Sequence, residues 1–250
     1  MAAELTHLLK IARTSLTERG VLGTVKQGPH YLKTYLKRRK AWKVFEEQDG
    51  FDRKYGTDTT TMLGPANFGQ TSDNVRYASL YRATLPRTFE RIIGAMNIRH
   101  EDFIFVDFGS GKGRTLLLAS EFPFHRVIGV EFSPKLHEAA QKNVRIYRSA
   151  TQKCKNFELE CLDAASYDLP VKNTVFYFFD PFELPVMIPV IDNLKKSLEK
   201  HPRKVFIAYV NPTYCSAMQN SGFLHRIENF DGGPPEMGFE YPWHIYTNKL

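Results

Sequence analysis

The stretch FVDFGSGKGRTLLLA, residues 105–119, decides how the rest of the chain is read. Phe103-Ile104-Phe105-Val106 is a continuous apolar run, the pattern of a strand buried on both faces. It ends at Asp107, and three glycines then alternate at 109, 111 and 113 before a helical, leucine-rich segment, Thr115 to Glu121. Strand, glycine loop and helix together make a phosphate or nucleoside cradle, because glycines let the backbone approach a ligand with no Cβ between.

Three familiar cradles fail on the letters. A dinucleotide-binding GxGxxG starting at Gly109 needs glycine or alanine at 114, where Arg114 stands. A P-loop needs glycine at 106 and Ser or Thr at 113, and Val106 and Gly113 occupy those places. A nucleophile elbow, G-x-S-x-G, is absent. No histidine pair has metal-ligand spacing, so no metal is expected.

Outward from this loop the pattern is regular. Upstream, residues 86–98 read as a helix opened by Pro86. Downstream come strands at Val127–Val130, Phe157–Glu160, Val175–Phe179 and Val205–Tyr209, with helices from Pro134 to about Tyr147 and from Ile188 to Leu198 between them. Apolar strands alternating with amphipathic helices predict an α/β fold with a parallel sheet. After a helix near Thr213–Asn220 the rhythm breaks. Leu224–Phe230 and Trp243–Thr247 are joined through Gly232-Gly233-Pro234-Pro235, too short a link for a helical crossover, so this pair is expected to be antiparallel.

In an open parallel sheet, ligands bind beyond the carboxyl ends of the strands. Four of the five predicted parallel strands end on or near a carboxylate: Asp107, Glu131, Asp163 and Asp180; the fifth ends at Asn211-Pro212. Glu131 is placed to accept both hydroxyls of a ribose, and Asp163 to accept from an adenine amine. Phe132 offers the base an apolar face, and Asp107 puts negative charge near a cationic amino-acid group. An acidic mouth suits a ligand bearing ammonium and sulfonium charges better than one bearing phosphates. S-adenosylmethionine has that chemistry.

With these residues the chain resembles the class I, Rossmann-like S-adenosylmethionine-dependent methyltransferases, through FVDFGSGKGRTLLLA, VIGVEFS at 127–133, CLDA at 161–164 and FFDPF at 178–182. The resemblance implies strand order 3-2-1-4-5-7-6 with strand 7 antiparallel. It also implies that Gly109, Ser110, Gly111 and Gly113 line the methionine part of the cofactor, Glu131 the ribose, and Asp163 with Ala164 the adenine. Tyr81-Arg82-Ala83-Thr84 is similar to the Y-x-x-T that precedes a helix in lysine methyltransferases of this fold, including the non-SET histone enzymes. By that likeness Tyr81 and Thr84 touch the amino-acid end of the cofactor. FDRKYGTDT at 51–59 is similar to a bacterial group of class I methyltransferases without an assigned substrate. Asp180-Pro181-Phe182 resembles the (D/N)PP(Y/F) of enzymes acting on planar amino nitrogens, less its second proline. It makes Asp180 the candidate catalytic group, and Phe182 and Asn211 the candidate substrate contacts. Asp180 before Pro181 also reads as a helix cap, so both roles stay open for it.

Composition sets the remaining bounds. The chain has 250 residues, 42% hydrophobic and 13% aromatic, with no apolar run long enough to cross a bilayer and no secretory pattern at its start. Its three cysteines, Cys154, Cys161 and Cys215, are expected to be reduced, buried thiols in a cytoplasmic protein. Of the net charge of +7, residues 1–56 hold most, with 12 Lys and Arg against 6 Asp and Glu. Residues 1–75 therefore read as a basic helical extension with a lid or linker, ahead of a methyltransferase domain at 76–250. Helices are expected over 3–18 and from Pro29 to about Gln48. The second carries Lys37-Arg38-Arg39-Lys40 and an aromatic face of Tyr31, Tyr35, Trp42 and Phe45. A solvated face packed on the main domain is the favoured reading of this helix, with nucleic acid or an anionic membrane surface as the other partner it could meet. The expected reaction is methyl transfer to a protein lysine or a small molecule. Alternatives are a cofactor-binding partner protein, a nucleic-acid-associated enzyme, or aminopropyl transfer from the decarboxylated cofactor.

Overall fold

The computed structural model describes residues 50–65, 68–69, 73–233 and 240–249. The helices expected over 3–18 and 29–48 lie outside these residues. The order of elements is α1 (Phe51–Tyr55), α2 (Pro86–Ala95), β1 (Ile104–Phe108), α3 (Arg114–Ala119), β2 (Arg126–Val130), α4 (Pro134–Ile146), β3 (Phe157–Glu160), β4 (Thr174–Phe179), α5 (Leu184–Lys200), β5 (Val205–Val210), α6 (Cys215–Gln219), β6 (Leu224–Phe230) and β7 (Trp243–Asn248).

The seven strands form one sheet in the order β3-β2-β1-β4-β5-β7-β6. β1 to β5 are parallel, and β7 runs antiparallel to both β5 and β6. This is the fold the sequence predicts, hairpin included. The continuous apolar runs are explained by layers on both faces. Phe105, Val127, Val175 and Tyr177 pack against Phe89, Ile92 and Ile93 of α2 and Leu116 and Leu117 of α3. Residues of the opposite parity, Val106, Ile128, Phe176 and Phe178 among them, meet Val186, Met187, Val190, Ile191 and Leu194 of α5. The spacing of that α5 row is one helical face, and Pro189 stands on its exposed side, where water can serve the carbonyl it leaves unbonded.

Parity also decides where Asp107 goes. It shares the face of Phe105, so its carboxyl turns toward α3 and is buried beneath the glycine loop. Helix ends follow sequence signals. Ser133 caps α4 by accepting from the Leu136 amide, with Pro134 at the first turn. Among the described residues no helix is long and apolar enough to cross a membrane. Cys154 is buried as expected, but Cys161 is exposed and Cys215 half-buried, because β3 is an edge strand and α6 lies at the surface; all three are free thiols.

Candidate active site

Beyond β1 the chain turns through Gly109, Gly111 and Gly113, all at positive φ (77°, 54° and 84°). Two of them need glycine for space as well as for conformation. A Cβ on Gly109 would stand 2.7 Å from Cβ of Pro181, and one on Gly111 would overlap the Tyr81 ring. The loop is therefore clasped between the end of β4 and the segment that precedes α2. Gly113 instead faces Ala140 of α4, and Ser110 is buried with its amide on the Val130 carbonyl.

Glu131 follows β2 and is 3% exposed. One carboxylate oxygen accepts from the Gly111 amide at 2.8 Å, the other from the Ser133 amide at 2.9 Å. Burial pushes its pKa up to about 7, against the pull of these backbone donors. A third backbone donor, Phe132, also reaches the carboxylate, which keeps acceptor capacity for a hydroxyl. Asp107 is held well above the usual carboxylate range by burial first and by the Glu131 charge second, with Thr115 pulling the other way.

A cleft opens along this rim. It brings together eight of the residues singled out from the sequence: Tyr81, Gly109, Gly111, Glu131, Phe132, Asp163, Ala164 and Phe182. Phe132 meets Phe68 edge-on at 6.0 Å, and the Phe68 carbonyl accepts from the Ser133 hydroxyl. Asp163 lines the cleft while one of its oxygens caps the turn that follows, accepting from the Ala165 amide at 2.8 Å.

The remaining singled-out residues stand behind the cleft wall. Asp107, Ser110 and Gly113 support the loop from below. Thr84 is in the core, its hydroxyl shared with Thr115 and Tyr177 at 3.0 and 3.1 Å. Asp180 and Asn211 follow β4 and β5, and Asn211 donates its side-chain amide to Asp180 at 2.9 Å. Both sit at positive φ, 42° and 51°. The turn after β4 leaves Asp180 buried, 4.0 Å from the guanidinium of Arg82.

Sequence reading did not single out Arg82, Phe179 and Pro181, which also line the cleft. Arg82 lies over the rings of Phe179 and Tyr241 and donates to the Tyr241 hydroxyl at 3.0 Å. The signal was at hand, since Arg82 falls inside Tyr81–Thr84 and the other two inside FFDPF. Phe68 gave no such signal. Nor was the role of residues 51–60 visible: they pack on the glycine loop through Lys112 and Arg114.

The family model described as "Histone methylation protein DOT1" matches residues 72–165, the span that runs from just before Tyr81 through the glycine loop and Glu131 to Asp163. The chain is a class I S-adenosylmethionine-dependent methyltransferase. The methyltransferase is also similar to solved structures. One is a SAM-dependent methyltransferase from Aquifex aeolicus, at 12% identity over 75% of this chain and 100% of that one, TM-score 0.49. Another is a precorrin-6y C5,15-methyltransferase from Geobacter metallireducens GS-15, at 16% over 64% and 86%, TM-score 0.43. A third is an RNA methyltransferase from Salinibacter ruber in complex with S-adenosyl-L-homocysteine, at 16% over 66% and 92%, TM-score 0.41. No curated protein matches the chain.

The donor set of the methyltransferase fits its cofactor. Bare backbone at Gly109 and Gly111, a buried carboxylate with free acceptor capacity, and an apolar wall at Phe132 and Ala164 meet the amino-acid, ribose and base portions in chemistry. Among the described residues no cluster of His, Cys, Asp or Glu could hold a metal ion.

Proposed function

We propose that the methyltransferase binds S-adenosylmethionine along the cleft with its amino-acid end over Gly109 and Gly111, its ribose on Glu131 and its base between Phe132 and Asp163–Ala164, and that it methylates an amine nitrogen of a protein side chain, lysine first. The observation that carries the reading is the Glu131 carboxylate: it is fixed by backbone donors at the floor of the cleft and aligned with the glycine loop. When bound, the cofactor supplies an electrophilic methyl group on a sulfonium sulfur. The chain's own work is then alignment and exclusion of water more than acid–base assistance.

The acceptor end follows from the same rim. Pro181 lies against Gly109, and Phe179, Pro181 and Phe182 give the cleft an apolar collar at the end of β4. An apolar collar strips water from an incoming amine and favours its neutral, nucleophilic form. Asp180, behind this wall and fixed by Asn211 and Arg82, holds the collar in place around the incoming nitrogen. The similarity of Tyr81–Thr84 to lysine methyltransferases and the match to a family described by histone methylation both favour a protein acceptor over a small molecule. Residues 1–75 serve in this reading as the extension that meets the acceptor.

The test is transfer of radiolabelled methyl from the cofactor into fractionated cell extract, followed by acid hydrolysis of the labelled fraction. Label is expected in protein and, after hydrolysis, in methylated lysine. Label confined to metabolites or to RNA would replace the acceptor class, and transfer of an aminopropyl group would show in the product mass.

A further inference from the structure

Residues 51–60, FDRKYGTDTT, have no periodic pattern, yet they form a densely bonded turn packed on the glycine loop. Asp52 is its hub. One carboxylate oxygen accepts from the Thr57 and Thr59 hydroxyls at 2.6 and 2.7 Å, and the other from the Thr59 and Thr60 amides, both at 2.7 Å. Burial works upward on the Asp52 pKa, but these donors outweigh it and hold the carboxyl below its ordinary value.

Besides the ion pair of Asp58 with Lys112, two bridges lead from this turn to the glycine loop. The first runs through Arg114, which is 1% exposed: it donates to the Thr59 and Thr60 hydroxyls, lies 3.7 Å from Asp52, and stacks on Phe51 at 3.9 Å. The second runs through Tyr81, whose hydroxyl donates to the Thr59 carbonyl at 2.6 Å and whose ring covers Gly111. Gly111 in turn donates to Glu131. A side chain remote from the cleft thus fixes the height of the loop and, through one amide, the carboxylate on its floor.

We propose that Asp52 and Thr59 are positioning residues for the cofactor, holding Tyr81 on Gly111 so that the loop amides and Glu131 keep their binding geometry. The proposal rests on the cofactor reading above and assigns to residues 51–60 a task that the cleft residues do not perform for themselves. A packing role alone would lower the melting temperature; a positioning role changes affinity through one shared chain of bonds.

The experiment is calorimetry of the full chain with S-adenosylhomocysteine, well below the melting temperature, for wild type, Asp52→Asn, Tyr81→Phe and the double variant. Each single change is expected to weaken binding about tenfold, and the double variant to bind no worse than the weaker single, because both cut the same chain. If Asp52→Asn does not fold, Thr59→Val, which removes only the hydroxyl shared by Asp52 and Arg114, takes its place in the cycle. Unchanged affinity in the singles, or losses that simply add, would overturn the proposal and leave the cofactor reading intact. Absence of binding by the wild type would overturn both.

Discussion

Glu131 carries its charge in a place that resists charge. Its pKa stands at about 7 against an ordinary 4.5. The folded protein therefore keeps this proton to higher pH than the unfolded chain does, and the linked stability is lost as pH rises. No penalty exists below about pH 4.5; it grows through the window to about 7 and is complete above it, amounting to about 3 kcal/mol. Glu131→Gln removes the titration and also lifts a like charge from Asp107. Thermal unfolding from pH 4 to 8 should show the wild type losing ground to the Gln variant across that window; a difference independent of pH would contradict the assignment. Binding should move the other way. The ionised carboxylate is the better hydroxyl acceptor, so wild-type affinity for S-adenosylhomocysteine should tighten from pH 6 to 8, and Glu131→Gln should cost about ten- to a hundredfold at pH 8.

Between elements, register is the agent. Phe179 of β4 lies opposite Val210 of β5, so the next residue of each strand, Asp180 and Asn211, meets the other although 31 positions separate them. Both bend into positive φ there, a conformation that asparagine and aspartate tolerate better than most side chains do. Asn211→Gly relaxes that backbone and keeps the amide that donates to the Pro242 carbonyl, but it drops the bond to Asp180. The two changes are each about 1 kcal/mol and opposed, so the melting temperature should hold within a few degrees while methyl transfer falls about tenfold. Equal loss of stability and activity would make the pair a structural one only.

The same distinction explains what could be read in the letters. Strands β1, β2, β4 and β5 were legible because burial on both faces leaves apolar runs, and the β6–β7 hairpin because its link is short. Gly109, Gly111 and Glu131 were legible because they sit at fixed offsets from a strand end. The contacts of Thr84 were not, since its four-letter surroundings do not say that its hydroxyl turns to Thr115 and Tyr177 instead of the cleft. Residues 51–60 were illegible for a further reason. Their partners, Tyr81, Lys112, Arg114 and Asn143, lie 22 to 85 positions away, and hydrogen bonds between threonines, an aspartate and distant cations leave no period in the sequence.

For the molecule as a whole, this moves the functional boundary. Composition divides the chain at 75, but the described structure ties residues 51–60 to the glycine loop, and every described residue lining the cleft lies between Phe68 and Val186. A chain beginning at Gly50 should therefore bind S-adenosylhomocysteine with wild-type affinity, whatever the first 49 residues contribute to the acceptor. A chain beginning at residue 76 loses Asp52, Thr59 and Thr60, and with them the groups that face the buried Arg114 guanidinium. Stripping partners from a buried cation costs about 3 kcal/mol or more, a large share of a domain's stability. The longer truncation should accordingly melt far lower or fail to fold, and a point change at Arg114 to methionine, which fills similar space without charge, should recover part of the melting temperature but not the affinity. If the 76–250 chain proved as stable and as tight-binding as the 50–250 chain, residues 51–60 would have no part in the cofactor site.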